Sequence, residues 1–164
     1  MQLPRFNRHE CLTPRLETQI DGKLYSNIYD RNCKLQDVSP ENGSETILLA
    51  EGVLSSIDQQ KVEMDGNYRL QYTFLQDGVR ISGACRAAEQ WLLPLISEQT
   101  EQVTIEESFV KIQKNEKIIT ILVNKGKMEL PYGTERIYQL VPGMEALKIA
   151  ILPENGEIDF CILF

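Results

Sequence analysis

Histidine and paired cysteines are scarce in this 164-residue sequence. His9 is the only histidine, and the four cysteines, Cys11, Cys33, Cys85 and Cys161, lie far apart with no C-x-x-C pair. Because zinc sites usually take their ligands from closely spaced pairs, we expect no metal site, and we expect no cofactor. A Cys–His nucleophile would need His9, which lies in an irregular N-terminal stretch, so this catalytic pair is a remote alternative.

Long apolar runs are also absent. No stretch approaches the roughly 20 apolar residues of a membrane-spanning helix. The N-terminal sequence MQLPRFNRHECLTPRL lacks the apolar core of a signal peptide. Scattered cysteines without a pairing pattern are typical of reduced thiols. We therefore expect a cytoplasmic protein that does not associate with a membrane.

Positive charge is in deficit. The 17 lysines and arginines are outnumbered by 24 acidic residues, and the formal net charge is −7. Nucleic-acid binding requires a concentrated basic surface that attracts phosphates. We therefore expect no nucleic-acid partner.

Recognisable catalytic motifs are missing as well. The sequence contains no nucleophile elbow, zinc-protease helix or phosphate-binding loop. Acid–base catalysis would need two carboxyl groups of tuned pKa in one cleft, and Glu106-Glu107 and Glu89 are the available candidates. Adjacent acidic residues in a strand are more often a solvated edge. We favour a protein without catalysis, with a carboxylate-pair enzyme as an alternative.

The clearest pattern that is present runs from Tyr68 to Cys85. Apolar and polar residues alternate along YRLQYTF, which predicts a β-strand with one face in the core. Asp77-Gly78 suits the centre of a type I′ turn, where both residues need positive φ. The predicted pairs, all on the apolar face, are Phe74 with Ile81, Tyr72 with Gly83, and Leu70 with Cys85.

Turn signals recur at short intervals along the rest of the chain. Asp21-Gly22 and Asn155-Gly156 each predict a further hairpin. The second would pair Ile151 with Phe160 and Ile149 with Ile162, and would place Phe164 in the core. We predict an all-β, antiparallel β-sandwich of about ten strands with at most one short helix. We expect one domain over residues 1–164, of which residues 1–15 form an irregular N-terminal arm.

The stretch from Ala84 to Gln102 allows two interpretations. Its alanines and Glu89 favour a helix, but Pro94 prevents a helix longer than two turns. We favour a short strand through Trp91, with Pro94 at an edge or a bulge.

Aromatic residues are the remaining candidates for a binding site. Flat rings can stack on sugar rings while nearby polar groups bind the hydroxyls. Trp91, together with Arg86 and Glu89, and Tyr132 in the loop LPYG are therefore candidate ligand-binding residues. For Trp91, an anchoring role at the edge of the core is the favoured alternative.

The segments YRLQYTFLQDGVRISG and WLLPLI, followed by the terminal hairpin, resemble the antiparallel sandwiches of carbohydrate-active proteins. They are similar to galactose-mutarotase-like domains and to the sandwich domains of polysaccharide lyases and glycoside hydrolases. The resemblance covers residues 46–164. Mutarotase-type catalysis uses histidines and a carboxylate, and His9 lies outside the resembling region. The resemblance thus implies an accessory module onto which no catalytic residue is carried over.

We therefore predict a non-catalytic sandwich module associated with carbohydrate, as an accessory domain or a small binding protein. A structural or interaction protein is the alternative from another class. It would form a homo-oligomer through a sheet edge or an apolar patch. A concave face lined by aromatic and polar residues would favour the first prediction, and a flat apolar patch the second.

Overall fold

The computed structural model describes residues 13–43, 45–98, 100–131 and 144–164. In these ranges the chain forms thirteen β-strands and one turn of 3-10 helix, and no α-helix, which confirms the all-β prediction. The 3-10 turn covers Asn27–Tyr29. The strands are β1 (Arg15–Ile20), β2 (Lys23–Ser26), β3 (Lys34–Asp37), β4 (Thr46–Val53), β5 (Asn67–Leu75), β6 (Gly78–Ala84), β7 (Gln90–Glu98), β8 (Gln102–Ile105), β9 (Phe109–Lys114), β10 (Lys117–Lys125), β11 (Lys127–Glu129), β12 (Met144–Leu152) and β13 (Glu157–Leu163).

The strands form two antiparallel sheets. The smaller sheet has the order β11-β12-β7-β1-β2, and the larger sheet has the order β3-β4-β5-β6-β13-β10-β9-β8. The core lies between them, where Trp91 of β7 meets Phe160 of β13 with ring centroids 5.7 Å apart. This arrangement confirms the predicted antiparallel sandwich. Among the described residues, no helix has the length and apolarity needed to cross a membrane.

The hairpin of β5 and β6 closes one residue earlier than the sequence predicted. Leu75 pairs with Gly78, so the two turn residues are Gln76 and Asp77. Neither Gln76 nor Asp77 has positive φ, and Gly78 does not have it either. A Cβ on Gly78 would overlap the carbonyl oxygen of Ile162 in β13. Glycine is therefore needed here for the close approach of the neighbouring strand, and not for the turn.

The register of this hairpin consequently differs from the predicted one by two residues. Tyr72 lies opposite Ile81, and Leu70 lies opposite Gly83, so the three predicted pairs were wrong. A displacement by an even number of residues keeps each side chain on its predicted face. Tyr68, Leu70 and Ile81 are all buried, as expected for the core face.

The two other predicted turns exist, but only the first closes a hairpin. Asp21 and Gly22 have φ of 51° and 76° and join the paired strands β1 and β2, as predicted. Asn155 and Gly156 have φ of 54° and 77°, and beyond the bridge of Glu154 with Glu157 the strands separate.

The strands on either side of Asn155-Gly156 therefore belong to different sheets. Ile151 of β12 lies opposite Trp91 in the smaller sheet, whereas Phe160 of β13 lies opposite Ile81 in the larger sheet. The predicted pairs Ile151–Phe160 and Ile149–Ile162 were wrong. Phe164 is also not in the core, since it is 67% exposed.

The ambiguous stretch after β6 forms the strand that we favoured. β7 contains Trp91 and Pro94, and Pro94 lies opposite Lys148 of β12. On its other side β7 pairs with β1 only through Gln90, Trp91 and Leu92. Beyond Leu92 this side of β7 has no partner strand among the described residues, which is where a proline is tolerated.

Candidate functional site

The first of two depressions on the larger sheet lies where β4 and β6 end and β5 begins. We call it the end groove, and its volume is about 770 Å³. Residues that follow the 3-10 turn form part of its rim, where the carboxylate of Asp30 lies against Gly52 and Val53 of β4. Its charged and amide side chains are Asp30, Asn32, Lys34, Glu51, Lys61, Asp65, Asn67, Arg69, Arg86, Asn155 and Glu157.

The second depression, which we call the β6 furrow, runs along the outer face of β6 and has a volume of about 400 Å³. Its floor is made by the small residues Ser82, Gly83 and Ala84. Longer side chains on the neighbouring strands β5 and β13 form its walls. Two strand spacings of about 4.8 Å place these walls about 10 Å apart. The end groove and the β6 furrow share Arg69, Ala84 and Glu157, so they adjoin, and we call the two together the channel.

The strand register explains why these polar side chains lie together. Lys34, Glu51, Arg69, Ala84 and Glu157 are successive cross-strand partners on β3, β4, β5, β6 and β13. Side chains that lie directly opposite each other point to the same face of a sheet. The result is one transverse row on the outer face, with charges alternating in sign and a gap at the alanine.

The carboxylate of Asp30 is fully engaged by hydrogen-bond donors. It accepts from the backbone N–H of Val53 at 2.9 Å and of Asn32 at 2.9 Å, and from the hydroxyl of Tyr68 at 3.1 Å. Burial, followed by the neighbouring Cys33 and Asp30, raises the pKa of the Tyr68 hydroxyl. Tyr68 therefore keeps its proton and acts as a donor to Asp30, which fastens the rim of the end groove to β4.

The arginines of the end groove, in contrast, are only loosely paired. Nε of Arg69 is 3.6 Å from Oε1 of Glu51, and Nη1 of Arg86 is 3.9 Å from Oδ1 of Asp65. Charge-assisted hydrogen bonds are typically about 2.7–2.9 Å long. The two side chains are 67% and 82% exposed, so their N–H groups are available to a ligand.

The carboxylates of the β6 furrow are already paired with basic side chains. Nε of Arg80 donates to Oδ1 of Asp159 at 3.0 Å, and Lys125 forms a close ion pair with Glu157. The guanidinium of Arg80 holds the pKa of Asp159 below its ordinary value. The two carboxylates of the furrow are thus already paired, whereas the guanidinium groups of Arg69 and Arg86 have only long contacts to carboxylates.

Of the predicted site residues that the structure describes, only Arg86 lines the end groove. Glu89 is exposed and accepts a hydrogen bond from the backbone N–H of Gln19 at 3.2 Å, away from both depressions. Trp91 is 2% exposed, and its indole N–H has no hydrogen-bond partner among the described residues. A sugar cannot stack on a ring in this position, so the structure favours the anchoring role. Tyr132 lies outside the described residues.

Arg69, Lys34 and Glu51 were not predicted as site residues. Arg69 is one of the polar positions that alternate with the apolar residues of YRLQYTF, and this alternation was the only available signal. Its neighbours in the row depend on the pairing of β3 with β4 and of β4 with β5, which the local pattern does not specify.

Among the described residues, those considered for catalysis and metal binding do not form a cluster, and His9 and Cys11 lie outside the described ranges. Glu106 and Glu107 are exposed between β8 and β9. Within the described ranges, no three His, Cys, Asp or Glu side chains are placed to hold a metal ion. Cys85 is 4% exposed, and burial raises the pKa of its thiol, so it packs as a small hydrophobic residue.

Large apolar side chains are also exposed at several places. Leu35 lies on β3, Met64 lies in the loop before β5, and Phe164 follows β13. These three residues belong to separate segments of the described structure. Self-association through an apolar patch therefore stays a prediction.

Comparison with known proteins agrees with the architecture. The sequence profile of the family described as "Ulvan lyase C-terminal domain" matches residues 1–163. A broad-specificity ulvan lyase of Formosa agariphila is 28% identical over 161 residues, which cover 94% of this chain and 25% of the relative. The chain thus spans about a quarter of the length of this curated relative. These matches confirm the resemblance to sandwich domains of carbohydrate-active proteins, and the chain belongs to the family of ulvan lyase C-terminal domains.

Proposed function

We propose that this chain is an accessory domain of a polysaccharide lyase, and that it binds the polysaccharide in the end groove without catalysing its cleavage. The observation that carries this proposal is the end groove itself. Its volume of about 770 Å³ lies within the usual range of ligand sites, about 300–1,000 Å³. Its lining of amide, carboxylate and basic side chains suits a ligand rich in hydroxyl groups.

The channel also has a shape suited to a polymer. The end groove opens into the β6 furrow, so a chain of linked sugars can extend from one into the other. Tyr68 is the only aromatic residue that lines the end groove in the described ranges, and it is 3% exposed. Recognition therefore depends on hydrogen bonds and not on ring stacking. Affinities of about 1 mM to 1 μM are expected, or roughly −4 to −8 kcal/mol.

The family membership supports the polysaccharide class of the ligand. The matched relative is named a broad-specificity ulvan lyase, and this chain corresponds to a quarter of it. We propose ulvan as the first polysaccharide to test, and a role in holding the polymer near a lyase active site that lies elsewhere.

Isothermal titration calorimetry with ulvan, and with a panel of neutral and charged polysaccharides, tests this function. Ala84 is exposed and lies at the junction of the end groove and the β6 furrow. We expect Ala84→Trp to block the channel and to weaken binding at least tenfold. Thr104→Trp is the matched control, because Thr104 is exposed on β8 at the far edge of the same sheet.

Two results would contradict the proposal. One is the absence of binding to every polysaccharide of the panel at millimolar sugar concentration. The other is equal weakening by Ala84→Trp and Thr104→Trp. Cleavage of ulvan by the isolated chain would refute the non-catalytic part of the proposal and leave the binding site standing.

A further inference from the structure

We propose that β3 is an interaction surface for a second copy of this chain, and that two β3 strands pair antiparallel about a twofold axis at Leu35. β3 forms one edge of the larger sheet, and all four of its residues are exposed. Leu35 is the only apolar residue of the four, and it is 65% exposed. This interaction goes beyond the proposed function, because it does not depend on the binding of carbohydrate.

The backbone of β3 has unused hydrogen-bonding groups along its outer edge. Directly after the strand, the backbone N–H of Val38 donates to the carbonyl oxygen of Ile47 at 2.9 Å. Hydrogen-bonded pairs alternate along an antiparallel ladder, so Gln36 also bonds to β4, whereas the N–H and C=O groups of Leu35 and Asp37 point away from it. Among the described residues these groups have no other backbone partner. The edge can therefore pair with one further extended strand.

The opposite edge of the larger sheet does not offer the same feature. Its strand, β8, has two apolar residues, Val103 and Ile105, and both pack against the core. Leu35 lies on the core-side face with its cross-strand partner Ala50, which is buried, but Leu35 itself is left uncovered. A second Leu35 placed directly opposite would cover this side chain with an apolar group.

The side chains of β3 favour one register of this pairing. In a twofold pairing, the residue on the axis lies opposite its own copy. An axis at Lys34 or Asp37 would place like charges opposite each other, which is destabilising. An axis at Gln36 would place Leu35 opposite the carboxylate of Asp37. An axis at Leu35 pairs the two leucines and places Lys34 opposite Gln36 and Asp37 opposite Cys33, so that no like charges are paired.

The segments that flank β3 carry complementary charges. Arg31 precedes the strand and Glu41 follows it, and both side chains are exposed. Because the paired strands are antiparallel, the end with Arg31 in one copy lies beside the end with Glu41 in the other, and the twofold axis repeats this attraction. Exposed ion pairs contribute little, and two strands of four residues bury a small area. We therefore expect a weak, reversible dimer.

Sedimentation velocity of the full chain tests the dimer. We expect the weight-average mass to rise towards twice the monomer value between about 10 μM and 1 mM protein, as for a small interface. Leu35→Asp places like charges on the axis and should weaken association at least about tenfold. Met64→Asp makes the same change at an apolar residue that is 79% exposed in the loop before β5, and should have no effect. Both variants should keep the parent's melting temperature within a few degrees, because neither side chain is buried.

Disulfide trapping tests the register. With Cys33→Ser as the background, Leu35→Cys should give a covalent dimer with oxidised glutathione, since the Cα atoms of a hydrogen-bonded pair are about 5.5 Å apart. Each disulfide formed reduces one oxidised glutathione to two thiols. Asp37→Cys in the same background is the control. With the axis at Leu35, the two copies of position 37 are about 14 Å apart along the strands, which is beyond the reach of a disulfide.

Three results would overturn the β3 dimer. The first is a parent chain that stays monomeric at the highest concentration, and the second is equal weakening by Leu35→Asp and Met64→Asp. The third is cross-linking of Asp37→Cys as fast as that of Leu35→Cys. Leu35 does not line the end groove, so each of these results leaves the proposed carbohydrate site standing.

Discussion

The carboxylate of Asp30 lies directly over the backbone of Gly52, in a space that admits no side chain. A Cβ on Gly52 would overlap Oδ2 of Asp30 and would come within 2.5 Å of the Tyr68 hydroxyl oxygen. Gly52 pairs with Tyr68 in the regular register of β4 and β5, so the strand has no bulge at this glycine. Glycine at this position leaves space for the carboxylate of Asp30, whose hydrogen bond to Val53 holds the rim of the end groove against β4.

Gly52→Ala should therefore destabilise the protein although alanine suits a strand better than glycine does. The new methyl group must displace Asp30 and break its hydrogen bonds to Val53 and Tyr68. We expect a loss of at least about 2 kcal/mol in the free energy of unfolding, measured by urea denaturation.

A double-mutant cycle with Asp30→Ala provides the control. Asp30→Ala alone removes the same hydrogen bonds, so the double variant should be more stable than the sum of the two losses predicts. The expected coupling is about 1 kcal/mol or more. Strictly additive losses would show that Asp30 is not what excludes a side chain from Gly52.

Trp91→Ala should cost about 3–5 kcal/mol of stability, since the indole fills the core against Phe160. Trp91→Phe should cost only about 1–2 kcal/mol, because phenylalanine also removes a buried N–H that lacks a partner among the described residues. Thermal melting of both variants checks this order. If Trp91→Ala melts like the parent and loses carbohydrate binding, the ring is a ligand platform after all.

The last strand should tolerate the loss of its final residue but not of its inner half. Phe164 is 67% exposed, so deleting it alone should cost less than about 1 kcal/mol and shift the melting temperature by a few degrees at most. Deleting residues 160–164 removes Phe160, which is fully buried. It also removes part of β13, which pairs with β6 on one side and with β10 on the other. That truncated chain should be unfolded or insoluble. A soluble, cooperative transition for it would contradict the placement of β13.

Asp159→Asn should make the free energy of unfolding less dependent on pH in the acidic range. Because Arg80 lowers the pKa of Asp159, the pair stabilises the folded state above the pKa of the unfolded carboxyl group, about 3.9. That stabilisation is lost as the pH falls through the folded pKa. We expect the variant to be about 1 kcal/mol less stable at pH 7, with the difference shrinking as the pH falls below the pKa of the unfolded carboxyl group. A difference that does not change with pH in the acidic range would exclude titration of Asp159 as its cause.

Local patterns were sufficient to predict strands and turns. The alternation along β5 correctly placed Tyr68 and Leu70 in the core, but Phe74, which was predicted on the same face, is 46% exposed. Asp21-Gly22 forms its turn with both φ angles positive. The turn predicted at Asp77-Gly78 was wrong, because a glycine can be required by the close approach of a neighbouring strand as well as by a turn. Gly78 accommodates Ile162, which is 84 positions further along the chain.

Pairing between distant strands could not be predicted. Strands were correctly predicted on both sides of Asn155-Gly156, but a turn sequence does not specify whether its two strands stay in one sheet. The residues of the end groove could not be predicted for the same reason. Arg69 meets Lys34 and Glu51 only because β3, β4 and β5 are neighbours, and Arg86 was the one predicted site residue placed beside them.

The position of β13 has a consequence for how the protein is made. Until residues 157–163 leave the ribosome, the larger sheet can exist only as two pieces, β3-β4-β5-β6 and β10-β9-β8. Each piece then exposes an unpaired edge, β6 or β10, that is open to pairing with another chain. Insertion of β13 between β6 and β10 forms contacts between residues that are far apart in sequence. This step is therefore expected to be slow. Cells producing this chain should lose it to aggregation mainly before this step, so slower synthesis at lower temperature should raise the soluble yield.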